Sequence, residues 1–186
     1  MPLNVGGNLS TARASFGPAV IAMDASGATP STNIGLIGDD GCQIEFSSSM
    51  ADIRQGNPKI PFLKFVQAQD FYMRWTSIEW SANRLAYALG VGVTSISGTN
   101  EVLRFGGGPC PSTVALLLQH RKCTAAHTVN VRVWTAAPEN ATIQTQMGDD
   151  VHGFPMAFAA LRSATNWAGG TLASDSQLVE CDIQLS

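Results

Sequence analysis

The chain has 186 residues, enough for one domain with a real core. Only 13% of them are charged, against about 25% in an average soluble domain, and the net charge is -3 with no run of Lys or Arg. That balance excludes tight nucleic-acid binding through a phosphate footprint, and no stretch approaches the roughly 18 apolar residues of a helical membrane span.

With 45% apolar residues and so little charge, the surface must be covered largely by Ser, Thr, Asn, Gln, Gly and Ala. Two readings fit. One is a surface buried against copies of the same chain, since interface centres are depleted in charge. The other is the ordinary Ser/Thr-rich exterior of a β-protein.

Residues 1–18 are Gly-, Ser- and Asn-rich without any period and read as a flexible N-terminal arm. They have neither the basic start nor the apolar centre of a signal peptide, so synthesis in the cytosol with reduced thiols is expected. Ala19–Met23 is a first short strand, Asp24–Asn33 a loop, and Ile34–Ile37 a second short run ended by the turn signal Gly38-Asp39-Asp40-Gly41. A strand over Cys42–Ser48 follows, then a polar break over Asp52–Lys59, then extended runs over Ile60–Gln69 and Phe71–Ser77.

The next segment carries the one convincing helix, over 78–89. Ser77 is the expected N-cap, Glu79 sits in the first turn where negative charge is favoured, and Gly90 supplies a left-handed C-cap. Ala82, Leu85, Ala86 and Leu89 form the core-facing stripe. Trp80, Arg84 and Tyr87 lie on a second face, which either shields the sheet edge or makes a subunit contact, since these residue types are enriched at interface hot spots.

Downstream, Gly106-Gly107-Gly108-Pro109 is a turn with no Gly-Lys-Ser/Thr after it, so it is not a phosphate loop. Val114–His120 is apolar on both faces at its start and reads as a central strand. Val129, Val131 and Val133 alternate with polar residues, as do Val179, Cys181, Ile183 and Leu185, which places Cys181 in the core. Phe154, Met156 and Phe158 share one face around Pro155, which marks an edge strand or a bulge. The sum is a mainly β protein: an antiparallel β-sandwich or barrel with one short flanking α-helix and long loops, in a single domain spanning 1–186.

No motif carries catalysis, and no catalytic residue, metal ligand or cofactor is assigned. There is no Gly-x-Ser-x-Gly elbow and no His-Glu-x-x-His. Cys110, His120, Cys123 and His127 are zinc-ligand residue types, but their spacing fits no standard finger or ribbon, so they read as packed thiols and surface imidazoles. The pairs Asp39-Asp40 and Asp149-Asp150 read as solvated turns, or as the wall of a pore where like charge repels passing DNA.

The stretch Cys42–Gly90 resembles the major tail tube proteins of long-tailed bacteriophages. The resemblance rests on the strand Cys42-Gln43-Ile44-Glu45-Phe46, the loop Asp52-Ile53-Arg54-Gln55-Gly56-Asn57-Pro58, the extended pair, and a helix from Glu79-Trp80 that ends in Ala88-Leu89-Gly90. Thr128–Ala136, Pro138-Glu139-Asn140 and Phe154–Leu161 extend it to about two-thirds of the chain. The segment 95–127 has no counterpart and reads as an insertion on the outer surface.

The resemblance implies a non-enzymatic virion subunit, made and assembled in the bacterial host cytoplasm. Homohexameric rings would stack into a tail tube that conducts phage DNA during ejection without sequence-specific binding. It implies an inner β-barrel shared by all subunits, and an inter-ring contact loop over 49–60 carrying Asp52, Arg54, Gln55, Asn57, Pro58 and Lys59. Partners would be other copies, with tail terminator, tape-measure and distal tail proteins, and no membrane. The alternatives are another virion structural protein (a terminator, capsid or decoration protein) and a ligand-binding β-sandwich module.

Overall fold

Period-two alternation dictates the architecture. Phe71, Met73 and Trp75 are all at most 4% exposed, while Tyr72, Arg74 and Thr76 between them are half-buried on the opposite face. The computed structural model describes residues 19–35, 37–56, 58–104, 111–121, 128–139, 143–144 and 153–183. In chain order these form β1 (Ala19–Ala25), β2 (Ile37–Gln55), β3 (Ile60–Ser77), α1 (Ala82–Leu89), β4 (Val93–Ser97), β5 (Asn100–Arg104), β6 (Val114–Arg121), β7 (Thr128–Pro138), β8 (Phe154–Ala160) and β9 (Val179–Ile183).

The main sheet is antiparallel throughout, in the order β1-β6-β7-β8-β3-β2, with β9 paired to β7. One edge of β7 therefore serves two strands: Val129–Val133 pair with β9, and Ala136–Pro138 pair with β8. A single apolar cluster joins Ile21 and Met23 of β1, Leu116 and Leu118 of β6, and Val131 and Val133 of β7 to Phe71 and Met73 of β3 and Phe154 and Phe158 of β8. The two arms of the sheet thus share one core, and Trp75 stacks on Phe158 with ring centroids 5.5 Å apart. This is the mainly β architecture with one helix that the alternation predicts.

The central position of β6 holds in detail. Val114, Ala115 and Leu116 are all 0% exposed, as befits a strand covered on both faces between β1 and β7. Trp134 closes the outer face of β7: its indole N–H donates to Ser176 O at 2.9 Å, and its ring meets Trp167 edge-on at 4.9 Å. Pro155 marks neither an edge strand nor a bulge, since β8 lies between β7 and β3 and pairs with β3 without a register shift; it is tolerated because its half of β8 does not pair with β7, so the missing N–H breaks no ladder on that side.

Other expectations are corrected. The turn at Gly38–Gly41 is a bulge inside β2, because the register jumps from Ile37↔Ser77 to Cys42↔Trp75 while Gly41 takes φ 71°. The helix begins at Ala82, not at 78, because Ser77 ends β3 in register with Phe154 and is fully buried there. Its N-cap is Ser81, whose side chain makes no capping bond; the Glu101 carboxylate of β5 accepts the Ala82 N–H at 2.7 Å instead. Glu79 is outside the first turn, and the fully buried helix positions are Ala82 and Ala88, with Leu85 and Tyr87 against the core. Cys181 is exposed, since β9 has β7 on one side and no described strand on the other. The segment 95–127 is not one outer insertion. Its β6 portion is central to the sheet, while β4 and β5 form a separate two-stranded sheet beside α1. The N-terminal arm 1–18, the Gly106–Pro109 turn, Cys110, Cys123, His127 and Asp149-Asp150 lie outside the described residues.

Gly90 ends α1 as expected, at φ 67°, donating its N–H to Tyr87 O at 3.1 Å. A Cβ there would sit 2.8 Å from Pro138 Cγ and 2.9 Å from Pro111 Cβ, whereas Gly98, at φ 65°, has nothing within 4 Å. Both pay for a positive φ on gaining a side chain, but only Gly90 adds overpacking. Gly90→Ala is therefore expected to lower stability in urea unfolding by about 1–2 kcal/mol more than Gly98→Ala; equal losses would remove the packing role of Gly90.

Candidate assembly surface

The polar break expected over Asp52–Lys59 is not a loop. β2 and β3 continue as one antiparallel ribbon, paired from Cys42↔Trp75 to Gln55↔Ile60, with one extra β3 residue at each of two register shifts, Gln67 opposite Ser49/Met50 and Phe62 opposite Ile53/Arg54. The turn is confined to 56–59. A hairpin wins over a loop because Gly56, at φ 96°, closes the turn and the apolar β3 residues favour strand. All of Ile60–Asp70 is exposed, so the ribbon leaves the body as an arm. At about 3.3 Å per residue, 47–55 spans roughly 30 Å.

The arm exposes Met50, Ile53, Ile60, Phe62, Leu63, Phe65 and Val66, each between 46% and 73% accessible. Covering these side chains would remove on the order of 700 Å² of surface, close to the roughly 800 Å² per partner of a standard interface. A two-stranded ribbon is marginal in water, and apolar surface on this scale marks an interaction site. Among the described residues no strand pairs with the outer edge of β2. The edge of β1, by contrast, is partly covered: Met23 N–H donates to Thr32 O at 2.9 Å and Ile34 N–H to Ile21 O at 3.0 Å.

Of the residues expected to make an inter-ring contact, Asp52, Arg54 and Gln55 lie on the distal part of β2, and Pro58 and Lys59 in the turn; Asn57 lies outside the described residues. Asp52 sits 3.6 Å from Arg54 and 3.9 Å from Lys64, solvent-exposed pairs of little energetic weight. The apolar arm residues escape the sequence reading because Ile60–Gln69 reads only as an extended run, with nothing to say whether it is covered. The available signal was their failure to alternate, in Ile-Pro-Phe-Leu-Lys-Phe-Val, beyond the small polar stretch where Ser47-Ser48-Ser49 pair with Asp70, Gln69 and Ala68.

Trp80, Arg84 and Tyr87 do not form one exposed face. Trp80 precedes the helix and meets Phe154 edge-on at 5.2 Å. Arg84 is a strut: it lies 3.1 Å from Glu79 Oε2 and donates to Glu79 O at 3.2 Å and to Asn33 O at 3.5 Å. Tyr87 packs against the core.

On the outer face of β2 and β3, Arg74 Nε and Nη2 donate to the Glu139 carboxylate at 2.7 Å each, and Nη1 donates to Glu45 Oε2 at 2.5 Å. Its guanidinium also lies 4.7 Å from the centre of the Tyr72 ring. Across the sheet, Arg132 pairs with Glu180 and Asp182. Both guanidinium groups are therefore committed to carboxylates. A recess of about 570 Å³ beside Arg74 is lined by Asp40, Gly41, Gln43, Trp75, Thr76, Pro155, Met156 and Ala157, and offers no histidine, cysteine or serine.

Burial pushes the Cys42 thiol up to about 12, which keeps it protonated and un-nucleophilic. His120 is half-buried on β6, not a surface imidazole, and its Nε2 has no partner among the described residues. Among those residues no three His, Cys, Asp or Glu side chains are grouped to hold a metal, and no helix is long and apolar enough to cross a membrane. The sequence matches no family model and no curated protein.

Hydrogen bonds from Arg74 hold the Glu139 carboxyl below its usual range. The unfolded chain then takes up this proton at a higher pH than the folded one. The stabilisation is present above the unfolded value of about 4.3 and is lost as pH falls through the folded value. Urea midpoints measured from pH 6 to 3 should fall more steeply for the native chain than for Glu139→Gln; parallel curves would show that the pair contributes nothing.

Proposed function

We propose that the chain is a structural subunit that polymerises through its β2–β3 arm into stacked rings, forming a tube that conducts DNA. The observation that carries this reading is the arm: a ribbon that projects roughly 30 Å and is apolar enough to need a partner. The free outer edge of β2 supports it, since an unpaired edge strand is a template for another chain. The low charge of the whole chain suits a protein whose surface is largely covered by its neighbours.

The hexameric ring, the tail of a bacteriophage virion and the DNA cargo come from the resemblance of Cys42–Gly90 to tail tube proteins. The electrostatics are compatible with that cargo. Arg74 and Arg132 are each neutralised by two carboxylates, so neither is available to grip a phosphate, and a duplex could pass without being held.

Purified protein should form rings or open-ended tubes of uniform diameter in negative-stain micrographs, with concentration-dependent growth in light scattering. Deleting Gln55–Lys59 should leave monomers or rings without long tubes. A strictly monomeric native chain at high concentration would overturn the proposal.

A further inference from the structure

We infer that the arm docks on a second copy of this chain through one face only, the face bearing Ala51, Ile53, Leu63 and Phe65, while Asp52, Arg54 and Lys64 stay on the solvent side. This rests on the assembly reading above and assigns its contact to particular side chains.

Residues directly opposite one another in an antiparallel pair share a face, and alternate residues along a strand switch faces. In the body, Phe71, Met73 and Ile44 face the core, exposed Phe46 lies edge-on to Phe71 at 4.8 Å on that same side, and Glu45↔Tyr72 and Gln43↔Arg74 point outward. Along β2 the core-side face continues through Ser48, Met50, Asp52 and Arg54, paired with Gln69, Val66, Lys64 and Pro61. The outward face continues through Ser49, Ala51 and Ile53, paired with Ala68, Phe65 and Leu63. Polarity is thus inverted at the root of the arm. The side that is apolar in the body carries every charge of the paired ribbon beyond Ser49, with only the Met50↔Val66 pair apolar there, and the side that is polar in the body becomes uncharged and apolar.

This inversion decides where a partner sits. Toward the tip the charged face is hydrated, with Asp52 bridging Arg54 and Lys64, and burying it against a partner would strip water from three charges as well as cover Met50 and Val66. The opposite face has no charge to keep hydrated and presents Ile53 at 46%, Leu63 at 53% and Phe65 at 48% exposure. It lies on the same side of the sheet as Tyr72 and Arg74, so the chain's own core cannot cover it. A second copy is the occupant that fits: with Ile60, opposite Gln55, this face holds four of the seven exposed apolar side chains of the arm, roughly 400 Å² or about half of one side of a standard interface, and the β2 edge, unpaired among the described residues, runs alongside it to supply main-chain hydrogen bonds.

The test compares two double variants of the full chain, Ile53→Ser with Phe65→Ser and Asp52→Asn with Lys64→Gln, by sedimentation velocity and negative stain. All four side chains are exposed on the arm, and circular dichroism of each variant checks that the body stays folded. The first pair should raise the concentration needed for assembly about 100-fold, roughly tenfold per interface anchor, and the second by less than threefold. If the first pair assembles like the native chain, or the second loses assembly equally, the assignment of faces falls while the assembly reading stands. A native chain that remains monomeric overturns both. Flotation of the native chain with phosphatidylcholine vesicles in place of self-association would give the apolar face to lipid and overturn the second copy as occupant.

Discussion

The structure depends on β3 being held on both sides. From Phe71 to Ser77 it lies between β2 and β8, and Phe71, Met73, Trp75 and Ser77 are at most 4% exposed. Burying the three large side chains stabilises the body by several kcal/mol, at roughly 2 kcal/mol each. The same strand continues outward without a break as half of the arm. The exposed ribbon, which would be marginal alone, is therefore an extension of the best-buried part of the sheet.

Polar contacts then fasten the periphery to this centre. Glu139 follows β7 and reaches Arg74 on β3, tying two strands that do not pair with each other. Glu101 of the small β4–β5 sheet caps α1, so that hairpin is bound to the helix by a charge-assisted bond as well as by packing. Asp24 cinches the loop after β1: burial alone would raise its pKa, but bonds from the Ser31 and Thr32 amides and hydroxyls outweigh that and lower it. Each device lets a short, uncharged chain segment keep a defined path over a core made almost wholly of apolar side chains.

Alternation made the body legible in the sequence. Phe71, Met73 and Trp75, the two-faced start of β6, and Phe154, Met156 and Phe158 all lie where period two places them, because each is sandwiched by neighbouring strands. The misreadings share a cause, which is that local signals were outbid by pairing. Ser77 and Glu79 look like a helix start, yet Ser77 is claimed by the ladder with Phe154. Gly38–Gly41 looks like a turn, yet both flanks join the same strand. Cys181 alternates correctly but sits on an edge strand, where facing the core side is not the same as being covered. The arm was hardest, because exposure is not a property of Ile60–Val66 themselves but of what the rest of the chain fails to place against them.

No glycine interrupts Cys42–Gln55 or Ile60–Ser77, so the ribbon between its anchored root and its tip bends only where its register shifts, at Ser49/Met50 and Ile53/Arg54. Its length makes it a lever. A tilt of only about 5° where Phe46 meets Phe71 displaces the end of a roughly 30 Å arm by about 2.5 Å, more than half a strand spacing. The aim of the tip is thereby set at the margin of the core, where exposed Phe46 leans edge-on against buried Phe71, and the repacking of that one ring would be read out as an angle far from it.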